Sequence, residues 1–160
     1  MMRYFITFAL MLVLYANSAN AEEVTGRARA IDGDTLKVGK TTVRLFGIDA
    51  PELKQTCITS KGKTQRCGDL ARQSLNVLIA NIKVKCRGEG KDSDGALVAT
   101  CYAGPFDVNE QMVAAGWALS VKEETDIYVR AESFARARNE GMWRGTFDTP
   151  QKWRDEHPAR

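Results

Sequence analysis

The chain has 160 residues, 44% of them hydrophobic, and a formal net charge of +3 from 23 Lys and Arg against 20 Asp and Glu. That length fits a single domain. So mild a positive balance excludes a protein that grips polyanions through bulk charge; any attraction for phosphate must come from local clustering.

The first element is a secretory leader. Arg3 is the only charge before Glu22, an apolar run from Tyr4 to Tyr15 follows, and Ala19-Asn20-Ala21 supplies a small-x-small cleavage pattern. The run is too short to span a bilayer comfortably. We therefore expect a signal peptide over residues 1–21 and a mature domain over residues 22–160, exported to the periplasm or the medium and free of the membrane after cleavage. Loss of Arg3 lowers the net charge to +2.

Val24–Ala30 alternates loosely and reads as a strand leading into an acidic turn, Asp32-Gly33-Asp34. Two short β-rich runs follow, Thr35–Val38 and Thr42–Phe46, joined across Gly39-Lys40 as a hairpin. Pro51 stops the third strand, and Leu53–Arg66 is a polar loop. Asp69–Ile79 is helical, with Leu70, Ser74, Val77 and Leu78 as its apolar stripe and Asp69 near the positive N-terminus. Ile82–Cys86 and Leu97–Tyr102 form a second hairpin around the turn-rich GEGKDSDG. A second helix opens at Asp107-Val108-Asn109, runs to about Ala115 and ends at Gly116. A third spans Val129–Asn139 and stops before Gly141. The closing WRDEHPAR reads as a frayed tail. Five strands with helices between and after them make an α+β fold, a small closed β-barrel with helical additions.

Four cysteines, Cys57, Cys67, Cys86 and Cys101, all follow the leader. In an exported chain an even count argues for two disulfides. Sequence order and the second hairpin favour Cys57–Cys67 and Cys86–Cys101, the latter worth about 3 kcal/mol for a loop of its length. Zinc is the rival, but no CxxC occurs and His157 is the only histidine.

The densest chemistry lies in IDGDTLKVGKTTVRLFGIDAPE, from Ile31 to Glu52. Folding its hairpin brings Asp34 close to Asp49 and Glu52, with Arg44 on the strand between. Carboxylate oxygens suit a hard divalent cation, and a guanidinium fork matches two phosphate oxygens. IDGDT followed by VRLFGIDAPE, a helix and a second hairpin resembles the staphylococcal nuclease family, from about Val24 to near Trp153. The resemblance implies an OB-fold barrel flanked by three helices and a Ca²⁺-dependent phosphodiesterase. It would hydrolyse DNA or RNA with little sequence preference, as a monomer.

Carried over by motif, Asp34 and Asp49 would bind Ca²⁺ and Ala50 would lend its backbone carbonyl. Glu52 would be the general base and Arg44 would contact the phosphate. Asp32 fits a supporting turn role. The family's second arginine usually sits in a pattern like D-x-Y-G-R; here Asp94 and Ala96 hold the tyrosine and arginine positions of Asp92-Ser93-Asp94-Gly95-Ala96. Lys91, Lys122 or Arg87 would have to supply the missing charge, as substrate-binding residues and without a bidentate fork where lysine does so. Lost phosphate donors cost roughly 10² to 10³ in rate, so a slowed nuclease is expected. The alternatives are a barrel that binds without turnover, or a role in exopolysaccharide production, which some exported bacterial proteins resembling this one carry. Lys61, Lys63 and Arg66 read as a solvated loop, and Trp117 and Trp143 as core. There is no GxSxG, Walker loop or HExxH to support another enzyme class.

Overall fold

A computed structural model describes residues 21–158 of the chain; the expected leader lies almost wholly outside them. The strands run β1 (Glu22–Ala30), β2 (Thr35–Val38), β3 (Thr41–Leu45) and β4 (Ile48–Asp49), then a small hairpin of β5 (Cys57–Ile58) and β6 (Thr64–Gln65). Helix α1 (Cys67–Ile79) leads into β7 (Lys83–Lys91), β8 (Leu97–Ala103) and β9 (Phe106–Asp107). After α2 (Val108–Ala114) come β10 (Leu119–Ser120), α3 (Val129–Ala137), a 3₁₀ turn over Gly141–Arg144 and α4 (Pro150–Glu156).

Antiparallel pairing in the order β3-β2-β1-β7-β8 is closed by a parallel contact between β3 and β8. Five strands thus form a closed barrel, the architecture of the OB fold. Period-2 alternation sends Leu36, Val38, Val43, Leu45, Val84, Cys86, Leu97 and Ala99 into its core. Asn109, fully buried at the start of α2, accepts from the Cys101 amide and donates to the carbonyls of Phe46 and Ala99. It thereby satisfies the backbone where β3 ends beside β8.

Both disulfides form as expected, Cys57–Cys67 with Cα atoms 5.9 Å apart and Cys86–Cys101 with Cα atoms 4.0 Å apart. The second joins directly opposed residues of β7 and β8.

Several sequence expectations are corrected. The second hairpin's first strand runs on to Lys91 instead of stopping at Cys86, because a register shift at Gly88–Gly90 absorbs the irregularity; only Asp92–Gly95 and Ala96 remain as the turn. The buried stripe of α1 is Cys67, Gly68, Ala71, Leu75 and Ile79, while Val77 is 76% exposed. Every fourth residue from Cys67 faces the barrel, and Leu70, Ser74 and Leu78 flank that line half-buried. The polar loop 53–66 holds the β5–β6 hairpin.

The C-terminal WRDEHPAR is no frayed tail over its described part. Thr149 caps α4 by accepting from the Lys152 amide, and Pro150 occupies its first turn. Proline is pre-set for that position, so the stop-start signal was present in the sequence.

Candidate active site

The acidic turn between β1 and β2 is built to meet the end of β4. Asp32 accepts from the amides of Asp34 (3.1 Å) and Thr35 (2.7 Å), fixing the turn. Gly33 is required there by space: a Cβ would come within 2.6 Å of that of Ala50 and 2.8 Å of that of Ala71. This close approach lets the Asp34 carboxylate accept from the Ala50 amide at 2.8 Å, while its other oxygen accepts from the Thr35 hydroxyl at 3.1 Å. Burial, reinforced by the charges of Asp32 and Asp49, pushes the Asp34 carboxyl up to about 8. Among the described residues no Lys or Arg pairs with it.

Asp49 and Glu52 are held from an unexpected direction. Arg154, on α4, donates to both oxygens of Asp49 (2.9 and 3.1 Å), to Glu52 (2.9 Å) and to Gln151 (2.9 Å). Its hydrogen bonds to Asp49 and Glu52 raise its pKa further still, so the guanidinium stays charged. The docking of α4 rests on Gln55, fully buried. That side chain accepts from the Glu52 amide (3.2 Å) and donates to the Asp148 carbonyl (2.8 Å), tying the acidic loop to the residues that start α4.

Arg44 stands on β3, its position on the outer face set by alternation with buried Val43 and Leu45. It donates to Glu124 at 2.6 Å, and the other Glu124 oxygen accepts from the Gly47 amide at 2.7 Å. Arg44, Asp49, Glu124, Gln151 and Arg154 line one cleft of about 510 Å³ together with Ser120 and Val121. The cleft is roughly twice the depression of about 250 Å³ beside Arg87 and Phe46.

The sequence-predicted residues divide cleanly by position. Asp34, Ala50 and Asp49 are brought together, Glu52 joins them through Arg154, and Arg44 stands on the same cleft. Lys122 is exposed and borders a separate depression with Glu132 and Arg136. Lys91 lies 3.6 Å from Glu22 at the end of the sheet, and Arg87 pairs with Glu23 at 2.7 Å. Ala96 is buried, its amide held by Asp92, and Asp94 is exposed, pointing no carboxylate into the cleft lining. Trp117 packs on the core and Trp143 lies under Arg136 at 4.2 Å. His157 stacks on Trp153.

Sequence reasoning missed Arg154, Glu124 and Gln55. Arg154 could have been found through the Thr-Pro helix start, which places it one turn in; Glu124 and Gln55 carry no local signal.

Whether a divalent ion suits these groups can be tested on their chemistry. Among the described residues no three His, Cys, Asp or Glu stand at ready-made ligand spacing, since Arg154 holds Asp49 and Glu52. Yet the charges of Asp32 and Asp49 both bear on Asp34, and no Lys or Arg pairs with Asp34 among the described residues. Hard oxygen donors short of positive charge fit Ca²⁺, which completes its shell with carbonyls and water.

The family model described as staphylococcal nuclease homologue matches residues 42–145. The match begins after Asp34 and ends before α4. The succinoglycan biosynthesis protein ExoI of Rhizobium meliloti (strain 1021) is 33% identical over 138 residues, covering 83% of this chain and 71% of that protein. An uncharacterized endonuclease of Haemophilus influenzae is 30% identical over 158 residues, covering 93% and 83% respectively. A probable staphylococcal-like nuclease, CAN2, of rice (Oryza sativa subsp. japonica) is 32% identical over 131 residues, 79% of this chain and 33% of that protein.

Proposed function

The chain belongs to the staphylococcal nuclease family, and from that premise we propose that it is an exported, Ca²⁺-dependent phosphodiesterase cleaving DNA or RNA with little sequence preference. One observation carries the reading: Arg44 and Arg154 reach a single cleft together with Asp49, and Arg154 also holds Glu52 beside it. Two guanidinium forks beside a carboxylate base and a second pair of carboxylates are the parts that phosphoryl transfer needs.

The charge count explains why a dication is needed. Asp49, Glu123 and Glu124 of the cleft, with Glu52 beside them, oppose Arg44 and Arg154, so the cleft repels a phosphodiester as it stands. Asp34 and Asp49 would hold Ca²⁺, with the carbonyl of Ala50 beside them. When bound, the ion supplies positive charge to the phosphoryl oxygens and to the leaving group. Arg154, relieved of Asp49, turns its fork to the phosphate. Arg44 does likewise by exchanging Glu124 for a phosphate oxygen, a like-for-like swap of anionic acceptors. Glu52, freed from Arg154, takes the proton of the attacking water.

Arg154 thus answers the alanine at position 96. Ala96 precedes β8 and has the parity of Val98, which lies opposite Arg44, so an arginine there would share the face of Arg44. The chain brings its second guanidinium from α4 instead.

Digestion of single-stranded DNA by the purified, oxidised protein tests the proposal. Cleavage with Ca²⁺ that stops in EGTA is the expected result; cleavage indifferent to EGTA would remove the metal from the reaction. A second reading has its own support: both arginines are engaged by the chain's own carboxylates. On that reading the barrel binds without turnover. The Rhizobium relative's name concerns succinoglycan biosynthesis, and no group in this cleft favours a sugar over a phosphodiester.

A further inference from the structure

The outer face of the barrel carries a row of cations that the chemistry above leaves unused. Alternation puts Arg27 and Arg29 of β1 on the surface with Lys83, Lys85 and Arg87 of β7, and Lys37 of β2 beside them half-exposed. The ladder register sets Arg27 opposite Lys83 and Arg29 opposite Lys37. Like charges directly opposed across a sheet destabilise it, so packing does not account for them. Glu23 neutralises Lys85 (3.0 Å) and Arg87 (2.7 Å) at one end. Arg27, Arg29, Lys37 and Lys83 have no ion-pair partner among the described residues.

Two further observations give the row a direction and a ligand. Lys37 lies opposite Thr42, donates to its hydroxyl at 3.1 Å, and stands one outward position from Thr35, the partner of Arg44. The row therefore starts at the edge of the cleft and crosses β2 and β1 to β7, roughly 10–15 Å at the usual strand spacing. On β8, Tyr102 lies opposite Lys85 and is 39% exposed. Cations that follow a backbone, with an aromatic ring on which a base can stack, are the elements of sequence-tolerant single-strand binding. The face offers no helix to enter a duplex groove. Outward positions of β1 are Glu23, Thr25, Arg27 and Arg29, none apolar enough to insert into a lipid surface.

We propose that the outer face of β2, β1, β7 and β8 is a track for single-stranded nucleic acid. Arg27, Arg29, Lys37 and Lys83 neutralise successive phosphates and Tyr102 stacks a base. Its purpose, feeding a strand into the cleft at Arg44, rests on the phosphodiesterase reading; its binding does not.

Binding is measured by fluorescence anisotropy of a labelled oligothymidylate of about 16 nucleotides, at the upper end of the range one OB barrel covers, in EGTA and over a range of salt. Arg27→Gln with Lys83→Gln should weaken binding at least tenfold and lower the slope of log K against log salt by about 1.4, from two lost phosphate contacts on a single strand. Tyr102→Ala should weaken binding severalfold without changing that slope. Lys61→Gln with Lys63→Gln removes the same charge from a distant loop and should change affinity less than twofold. The first double variant should melt no lower than the wild type, because an opposed like-charge pair is gone. Unchanged affinity and slope in that variant, an equal loss in the loop variant, or binding to phosphatidylglycerol vesicles in place of the oligonucleotide would overturn the track. Strand binding without any cleavage would leave the track standing and remove the nuclease reading alone.

Discussion

Two surfaces of this barrel carry opposite charge. The cleft gathers Asp49, Glu123 and Glu124, with Glu52 held at Arg154, against two arginines, whereas the cations of β1, β2 and β7 meet only Glu22 and Glu23 in ion pairs among the described residues. A net charge of +3 conceals this separation entirely. The difference teaches how a polyanion can be attracted to a protein whose reactive centre repels it. On the readings proposed above, the sheet face would draw the strand without help and the cleft would accept it once a dication reverses the local sign. Attraction and reaction are thus set by different elements, and each can be altered while the other stays.

The largest effect should come from the side of the cleft that touches phosphate. Arg44→Ala is expected to lower kcat/KM at saturating Ca²⁺ by roughly 10² to 10³, the scale of a lost transition-state donor. Circular dichroism should show the fold intact, since Arg44 is surface-placed and its partner Glu124 keeps the Gly47 amide. A loss below threefold would mean that Arg44 serves only to pair with Glu124.

Arg154→Ala separates two uses of one guanidinium. If Arg154 turns to the phosphate, kcat/KM falls roughly 10²-fold while Ca²⁺ binding, followed by calorimetry, becomes tighter because Asp49 has lost a competitor. If Arg154 merely blocks the site, both activity and Ca²⁺ affinity rise.

Position 96 sharpens that distinction. Ala96→Arg should restore at least tenfold of the activity lost in Arg154→Ala, since a phosphate arginine can be worth that and more. In the wild-type background the same change should gain little, because Arg154 already supplies the fork. A tenfold gain with Arg154 present would show that α4 does not replace the missing arginine.

The smallest effect concerns stability. Buried, and crowded by Asp32 and Asp49, the Asp34 carboxylate is disfavoured as an anion near neutral pH. Its raised value means that the metal-free fold loses stability as pH rises from the ordinary carboxylate range to about 8 and levels off above it, the reverse of a salt-bridged acid. Asp34→Asn keeps an acceptor for the Ala50 amide and removes the repulsion. It should stabilise the metal-free protein by about 1–3 kcal/mol and abolish the rise in Tm that Ca²⁺ is expected to give the wild type. Calorimetric melting at neutral pH checks both; a lower Tm in Asp34→Asn would contradict the crowding.

The sequence made the barrel legible because its strands alternate and its turns carry glycine. It also showed the N-terminal half of the site, since Asp34, Arg44, Asp49 and Glu52 lie within nineteen residues around one hairpin. The C-terminal half was hidden. Arg154 lies 102 residues beyond Glu52, and only the Gln55 clamp between the Glu52 amide and the Asp148 carbonyl brings α4 back. Glu124 meets Arg44 across 80 residues from an acidic run that looks solvated. In α1, Val77 looked like core and is exposed, because the helix turns Ala71, Leu75 and Ile79 to the barrel instead. The basic face was present as alternating cations in β1 and β7. Its meaning came with the register that sets Arg27 against Lys83.

The most direct test of the account is single-turnover cleavage of an end-labelled single strand by the wild-type protein and Glu52→Gln, side by side at saturating Ca²⁺. The account predicts cleavage by the wild type and a rate lower by at least 10² in the variant, the low end of general acid–base contributions. Equal rates in the two proteins would contradict the role of Glu52, and no cleavage by folded wild-type protein in molar excess over the strand would contradict the nuclease itself.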